Sequence, residues 1–309
     1  NWWAYYDIPL KLLDAYALIR ESDVWVQLDK EQGVDVARRI EEDLFRNAGE
    51  QVYANRDDCT NMSPAAWTRM IRLGRVLDEP RYIHAVVDRL RRLTAEKFFY
   101  DGFWYEGSPS YARATINQLV DVVEQLQGYT DPPGYVEPGD GTRYDQFDAA
   151  TEFPELLAAQ QAVEKLTYPH GGLVPVHDTW AAKRQAAPFS QREPFLLPGL
   201  GHACLGGGRG PALAEWHLSW SGGYGHQHAD LLSLSLFADN RELLSDIGYT
   251  HTAYRSWTVA TAAHNTVVID GLSQAAGSRA APTDGLLQWI DLADPRVQVG
   301  RVDGRRAYH

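Results

Sequence analysis

Apolar positions recur at helical spacing through the first half of the chain and alternate with polar ones through much of the second. From Tyr5 to Ile19, the residues Ile8, Leu12, Ala15 and Leu18 fall three or four apart, which predicts an amphipathic helix. Val34 to Phe45 repeats the pattern. Ser63-Pro64 pairs an N-cap residue with proline at the first helical position and predicts a helix to Leu73. Glu79-Pro80 interrupts the chain. Tyr82 to Phe98 then carries Ile83, Val86, Val87 and Leu90 on one side. Ser108-Pro109 opens a helix through Leu119, Val122 and Leu126. A loop rich in Gly, Pro and Asp, Asp131 to Gly141, precedes a last helix over Phe147 to Leu166. Successive antiparallel helices with short links predict a helical toroid or solenoid, without a strict sequence repeat.

The second half is rich in glycine. Leu213 to Trp220 alternates, and Leu231 to Ala238 alternates Leu with Ser. Glu242 to Asp246, Thr266 to Ile269 and Gln288 to Leu292 read as further strands, with turns at Asp239-Asn240 and Asp270-Gly271. Many short strands joined by turns predict an antiparallel β-sandwich. The expected fold class is therefore α+β and multidomain. An N-terminal α/α-toroid of helical hairpins covers 1–170, and a C-terminal antiparallel β-sandwich covers 171–309. The boundary falls between Tyr168 and Gly201, with His170-Gly171-Gly172 as a linker mark. The chain opens abruptly at Asn1-Trp2-Trp3 and stops inside a strand-like pattern at Arg301-Val302-Asp303-Gly304. It reads as a piece of a longer protein, with the toroid incomplete at its start and the sandwich truncated at its end.

Composition narrows the function classes. A chain of 309 residues, 44% of them hydrophobic, is long enough for two domains with sizeable cores. The net charge of -12 argues against a general nucleic-acid binder. It leaves room for a local basic cleft that takes an anionic sugar. The 10 Trp and 16 Tyr suit sugar platforms and large cores alike. Cys59 and Cys204 form no metal or redox motif. No segment is apolar for long enough to span a membrane, and no signal peptide is visible.

Three features carry candidate chemistry. The first is His226-Gln227-His228, followed by Asp246 and His264. Histidines two apart on a strand share a face, and three strands of one sheet would bring His228, Asp246 and His264 together. Two imidazoles and a carboxylate suit tetrahedral zinc. A histidine pair hydrogen-bonded in a turn is the plainer reading. The second is Asp101 to Tyr111, which contains Trp104 and Glu106 and places Tyr111 in the first turn of a helix. A tyrosine whose pKa is lowered by nearby positive charge can exchange a proton, and Arg113 is the candidate neighbour. Packing alone would also explain Tyr111, and Arg113 reads equally as an ordinary solvated side chain. The third is Asn55-Arg56 with Asn61, whose amide can hydrogen-bond a carboxylate or simply serve in a turn.

Asp101 to Tyr111, and the run from His226 through Leu244-Ser245-Asp246-Ile247-Gly248-Tyr249 to Thr261-Ala262-Ala263-His264-Asn265-Thr266-Val267-Val268-Ile269-Asp270-Gly271, together resemble the heparinase II/III-like polysaccharide lyases. That group includes alginate and oligoalginate lyases. Asn1-Trp2-Trp3 and Ile8-Pro9 are similar to a toroid helix of such enzymes. The resemblance implies a toroid followed by a sandwich, with a glycan cleft between them, in a bacterial periplasmic or secreted protein. It implies one structural zinc on His228, Asp246 and His264. It implies Tyr111 as general acid, His226 as base or carboxylate neutraliser, and Asn61 as neutraliser of the uronate carboxylate, although Thr60 and Met62 flank it where the family often has histidine. It also implies, as the alternative base to His226, a second tyrosine from the sandwich, which would be Tyr254, with Tyr249 close by. Arg56, Trp104, Glu106 and Arg113 are the expected substrate contacts.

The expected activity is β-elimination on a uronate-containing polysaccharide, leaving a 4,5-unsaturated uronate end. The partner is an anionic polysaccharide or oligosaccharide, with no nucleic acid and no membrane span. A zinc-dependent glycan or ester hydrolase with Glu215 or Asp230 as base would give products without the double bond. A non-catalytic glycan-binding protein would lose no activity when Tyr111 is replaced. A metal-dependent oxygenase suits His-x-His plus carboxylate but leaves the tyrosine-bearing half without a purpose.

Overall fold

Contacts divide the chain into two compact units, Asn1–Glu96 with Asn117–Pro154, and Lys97–Ile116 with Glu155–His309. The structure, a computed structural model, describes residues 8–54, 59–180, 191–222, 225–275 and 285–308. Asn1-Trp2-Trp3, the start of the Tyr5 helix and Asn55-Arg56 lie outside the described residues.

The first unit is helical. It holds α1 (Leu10–Ile19), α2 (Val24–Gln32), α3 (Val36–Arg39), α4 (Asn47–Ala54), α5 (Ser63–Val76) and α6 (Pro80–Glu96), with a π-helical stretch at Ile40–Arg46 joining α3 to α4. The unit also takes the second half of α7 (Pro109–Leu126) and α8 (Ala149–Glu152). α6 follows its predicted pattern: Tyr82, Ile83, Val86, Val87, Leu90 and Leu93 are all buried. Each such side chain contributes roughly 1.5–3 kcal/mol on burial, so a charge at Val86 would break the packing of α6. α2 was not expected, because it buries none of its residues and so lacks an apolar stripe. The helix expected over Phe147 to Leu166 is two helices, α8 and α9 (Glu155–Lys165). Phe153-Pro154 separates them, since proline disfavours helical backbone before it.

In the second unit, strands β1 (Phe195–Leu197), β2 (His202–Gly207), β3 (Ala214–Ser219), β4 (Ser233–Ala238) and β5 (Arg241–Leu244) form one antiparallel sheet in chain order. β6 (Leu286–Asp294) and β7 (Val297–Asp303) form a second antiparallel pair. Ala203, Trp220, Leu231 and Ala307 make the apolar cluster between the sheets, with Leu218, Leu287, Ile290 and Val302 packed against it. On the other face of β3, Glu215, His217 and Ser219 are buried. The β4–β5 turn is at Asp239-Asn240, both with positive φ (51° and 57°), as a tight two-residue hairpin requires. Thr266 to Ile269 is not a strand. Val267, Val268 and Ile269 are exposed, and Ile269 makes one bridge to Leu272 around the Asp270-Gly271 turn. Among the described residues no helix is long and apolar enough to cross a membrane.

Candidate active site and metal centre

All side chains of the site belong to the second unit. Ser108 and Ser110, at the start of α7, donate from their hydroxyls to the Asp178 carbonyl at 2.8 and 2.9 Å. His177 is fully buried in the left-handed region (φ 52°), a conformation that costs energy in a non-glycine residue and marks a constrained turn. The turn presents Asp178 to three cations or donors at once. His226 Nδ1 lies 3.1 Å from Oδ2, and His228 Nε2 lies 2.8 Å from Oδ1. Arg255, in the short helix α10 (Arg255–Thr258), donates from Nη1 to Oδ1 at 2.6 Å and from Nη2 to Oδ2 at 2.9 Å. Burial opposes charge on Asp178, but these hydrogen bonds outweigh it and hold the carboxyl below the usual range.

The Tyr111 ring lies flat on the His226 imidazole, with centroids 3.7 Å apart and planes 17° from parallel. Glu106 Oε1 stands 3.7 Å from His226 Nε2. Burial works against the imidazolium, but Asp178 and Glu106 raise the His226 pKa to about 9, so the ring is protonated near neutral pH and accepts a proton only in its neutral, alkaline form. Tyr249 meets Tyr111 edge-on at 6.3 Å. Burial, the hydrogen bond with Tyr249 and the nearby carboxylates hold the Tyr111 phenol protonated, with its pKa above the usual range. This corrects the expectation of a phenol acidified by Arg113. Arg113 is buried and donates to the Thr167 hydroxyl. Trp104 is fully buried, and its indole N–H donates to Glu106 Oε2 at 2.8 Å, so it supports Glu106 and offers no surface to a ligand. Tyr254 is 73% exposed, and the tyrosine beside Tyr111 is Tyr249. Asn61 belongs to the first unit, half-buried in the turn before α5, and Arg56 lies outside the described residues.

His228, Asp246 and His264 offer ligand atoms within 4.8 Å of one another. They sit on loops, not on three strands: His228 precedes β4, Asp246 follows β5, and His264 ends a 3-10 turn over Thr261–Ala263. All three side chains are almost wholly buried. His264 Nδ1 lies 2.7 Å from Asp246 Oδ2, and His228 Nε2 is taken by Asp178, which leaves His264 Nε2 and His228 Nδ1 buried with no hydrogen-bond partner. Buried polar atoms are rarely left so. Two bare imidazole nitrogens beside a carboxylate fit a metal ion, and His228 has its other nitrogen oriented by a separate carboxylate, Asp178, as metal-ligating histidines do. Gly248 lets the Asp246 loop close on the site. Its φ is +64°, and a Cβ there would collide with the Thr179 carbonyl oxygen.

Sequence reasoning missed Asp178 and Arg255. Asp178 lies in the stretch read as the domain boundary, and only its place two residues before Trp180 and next to a histidine hints at chemistry.

Residues 219–302, which include His226, His228, Asp246 and His264, match the family model described as Heparinase II/III-like, C-terminal. This segment is similar to the C-terminal part of the heparinase II/III-like family. The heparinase-like fold extends further than the matched segment. A solved heparinase III gene product superposes with a TM-score of 0.64 at 15% identity, over 83% of this chain and 43% of its own. A heparan sulfate lyase HepC mutant from Pedobacter heparinus gives 0.63 at 14% identity, over 86% and 45%. A further heparinase III structure gives 0.60 at 14%, over 85% and 46%. The chain thus spans less than half the length of these structures, and at this identity the likeness is one of fold. No curated protein matches the chain in sequence.

Proposed function

We propose that this heparinase II/III-like chain is the core of a polysaccharide lyase that cleaves a uronate-containing glycan by β-elimination. The observation that carries the reading is the Tyr111 ring stacked on His226, with His226 in turn oriented by Asp178. In this reading the helices form part of an α/α-toroid, the two sheets form a β-sandwich, and the protein is periplasmic or secreted.

A uronate has an acidic C5–H beside its carboxylate and the glycosidic oxygen at C4. In its neutral form, populated as the pH approaches about 9, His226 keeps Nδ1 turned to Asp178 and takes the C5 proton on Nε2. The C5–H electron pair becomes the C4–C5 double bond, and the C4–O4 bond breaks. Tyr111, held protonated, gives its proton to the departing O4. The carboxylate gathers negative charge during the step, and cationic groups or hydrogen-bond donors there lower the barrier. Tyr249 holds the Tyr111 hydroxyl in place.

His228, Asp246 and His264 would hold one zinc ion. Bound zinc would tie three loops together and aim His226, two residues from His228. The burial of the ligands favours a structural ion over the open position that a zinc hydrolase needs.

The test is a screen of uronate polysaccharides, watching ultraviolet absorbance from the unsaturated product. A rise with one polymer that disappears in Tyr111→Phe supports the reading and names the substrate class. No rise with any polymer, from the full-length protein carrying zinc, would reject it in favour of hydrolysis or binding alone.

A further inference from the structure

We propose that Trp180, framed by Tyr249 and His251, is a sugar-stacking subsite that binds a neighbouring residue of the same glycan chain. The inference rests on the reading of Tyr111 and His226 as the reaction centre.

Trp180 follows Asp178 by two residues. Thr179, between them, is buried, and its carbonyl accepts from the Tyr249 N–H at 3.0 Å. The chain is therefore held on the N-terminal side of the indole. Tyr249 meets Trp180 edge-on at 4.3 Å, His251 is tilted against it at 5.4 Å, and the Tyr249 and His251 rings are 4.4 Å apart. Trp180 keeps 45% of its surface exposed, comparable to Trp216, Trp257 and Trp289, whereas Trp67 and Trp104 are buried in their cores. What distinguishes Trp180 is its frame, which includes Tyr249, the ring beside Tyr111.

Position identifies the occupant's chemistry. Tyr249 touches both Trp180 and Tyr111, so the indole is one aromatic ring away from the proposed acid. A sugar ring offers C–H groups on its faces and hydroxyls at its edge. An indole offers an apolar face, and a framed indole loses little entropy on binding. His251, exposed at the edge of the cluster, supplies a polar partner for hydroxyl or acidic substituents. A glycan held at Tyr111 and His226 would bring its next residues over this ring.

The test compares long and short substrates in the full-length protein. Trp180→Ala is expected to raise KM for the polymer about tenfold, the order of one lost aromatic contact. kcat, and KM for the shortest oligosaccharide cleaved, should stay unchanged, and Trp180→Phe should recover much of the loss. An unchanged KM, or an equal loss on long and short substrates, would overturn the subsite. If the wild-type protein cleaves nothing, the proposed reaction fails, and binding alone judges the subsite. Uronate oligosaccharides titrated into the wild-type protein should then quench tryptophan fluorescence, and Trp180→Phe should abolish the quench. Equal quenching in both would overturn it. The Phe variant keeps the test decisive if the Ala variant does not fold.

Discussion

Asp178 and Arg255 meet as a two-pronged ion pair, Nη1 to Oδ1 at 2.6 Å and Nη2 to Oδ2 at 2.9 Å. The same two oxygens also engage His228 and His226. Asp178 thus links α10 and the histidine loop through its carboxylate and, through the Ser108 and Ser110 hydroxyls on its backbone carbonyl, the start of α7. Asp178→Asn keeps the shape and removes the charge that three partners share. It is expected to lower unfolding stability by on the order of 3 kcal/mol, the scale of a broken buried charge pair, read as the urea midpoint. Arg255→Lys keeps a charge without the fork and should cost less, about 1 kcal/mol. A wild-type midpoint in Asp178→Asn would show that the carboxylate is not the hub.

The proposed zinc centre predicts linked losses. Elemental analysis should find one zinc per chain, and His264→Ala should lose the metal and thermal stability together. Chelation of the wild-type protein should lower its melting temperature, and Asp178→Asn should weaken metal affinity by roughly 10–100-fold through His228. A His264→Ala protein without metal that melts like wild type would exclude a structural ion.

Gly248 predicts a backbone effect at the same place. Gly248→Ala meets both an unfavourable positive φ and a clash with the Thr179 carbonyl oxygen. A cost of about 1–3 kcal/mol follows from such strain. Because Thr179 lies between Asp178 and Trp180, activity should fall with stability. An alanine variant as stable and active as wild type would show that the loop yields freely.

Beneath the β-sheet, a second histidine pair predicts acid sensitivity. His202 Nε2 and His217 Nδ1 are 3.0 Å apart, and both rings are buried. Burial first, then for His202 the neighbouring imidazoles, push the pKa of His202 well below 6.5 and that of His217 below it, the latter despite Glu215. The folded protein therefore resists protons that the unfolded chain takes up at about 6.5. The stability from keeping these rings neutral is complete above that pH and is lost as pH falls below it. The slope is about 1.4 kcal/mol per pH unit for each histidine. Wild type should lose stability relative to His202→Gln between about pH 6.5 and 5, measured by denaturant melts across pH. Parallel curves for the two proteins would contradict this.

Much of the helical unit could be read from periodicity, because α5, α6 and α7 each bury one continuous stripe and spacing alone marks such a stripe. The site residues Tyr111, His226, His228, Asp246 and His264 stood out by residue type within short motifs. Strand assignments were weaker. β1 and β2 were missed, and Thr266 to Ile269 looked like a strand although, among the described residues, no strand pairs with it along its length. An apolar run records a preference, whereas a ladder needs a partner that only the folded chain supplies.

The sequence by itself determined which side chains were available for chemistry: a histidine pair, an aspartate, a third histidine and a tyrosine at the start of a helix. Tertiary structure alone decided how they are wired. Asp178 stands 48 residues from His226, 50 from His228 and 77 from Arg255, and no local pattern spans such separations. Arg113, two residues from Tyr111 in sequence, turns away to Thr167, while Arg255 closes on Asp178. Periodicity reports which face a residue takes on its own element. Which charges meet depends on where distant elements pack, and on the low tolerance of a buried carboxylate for being left unpaired.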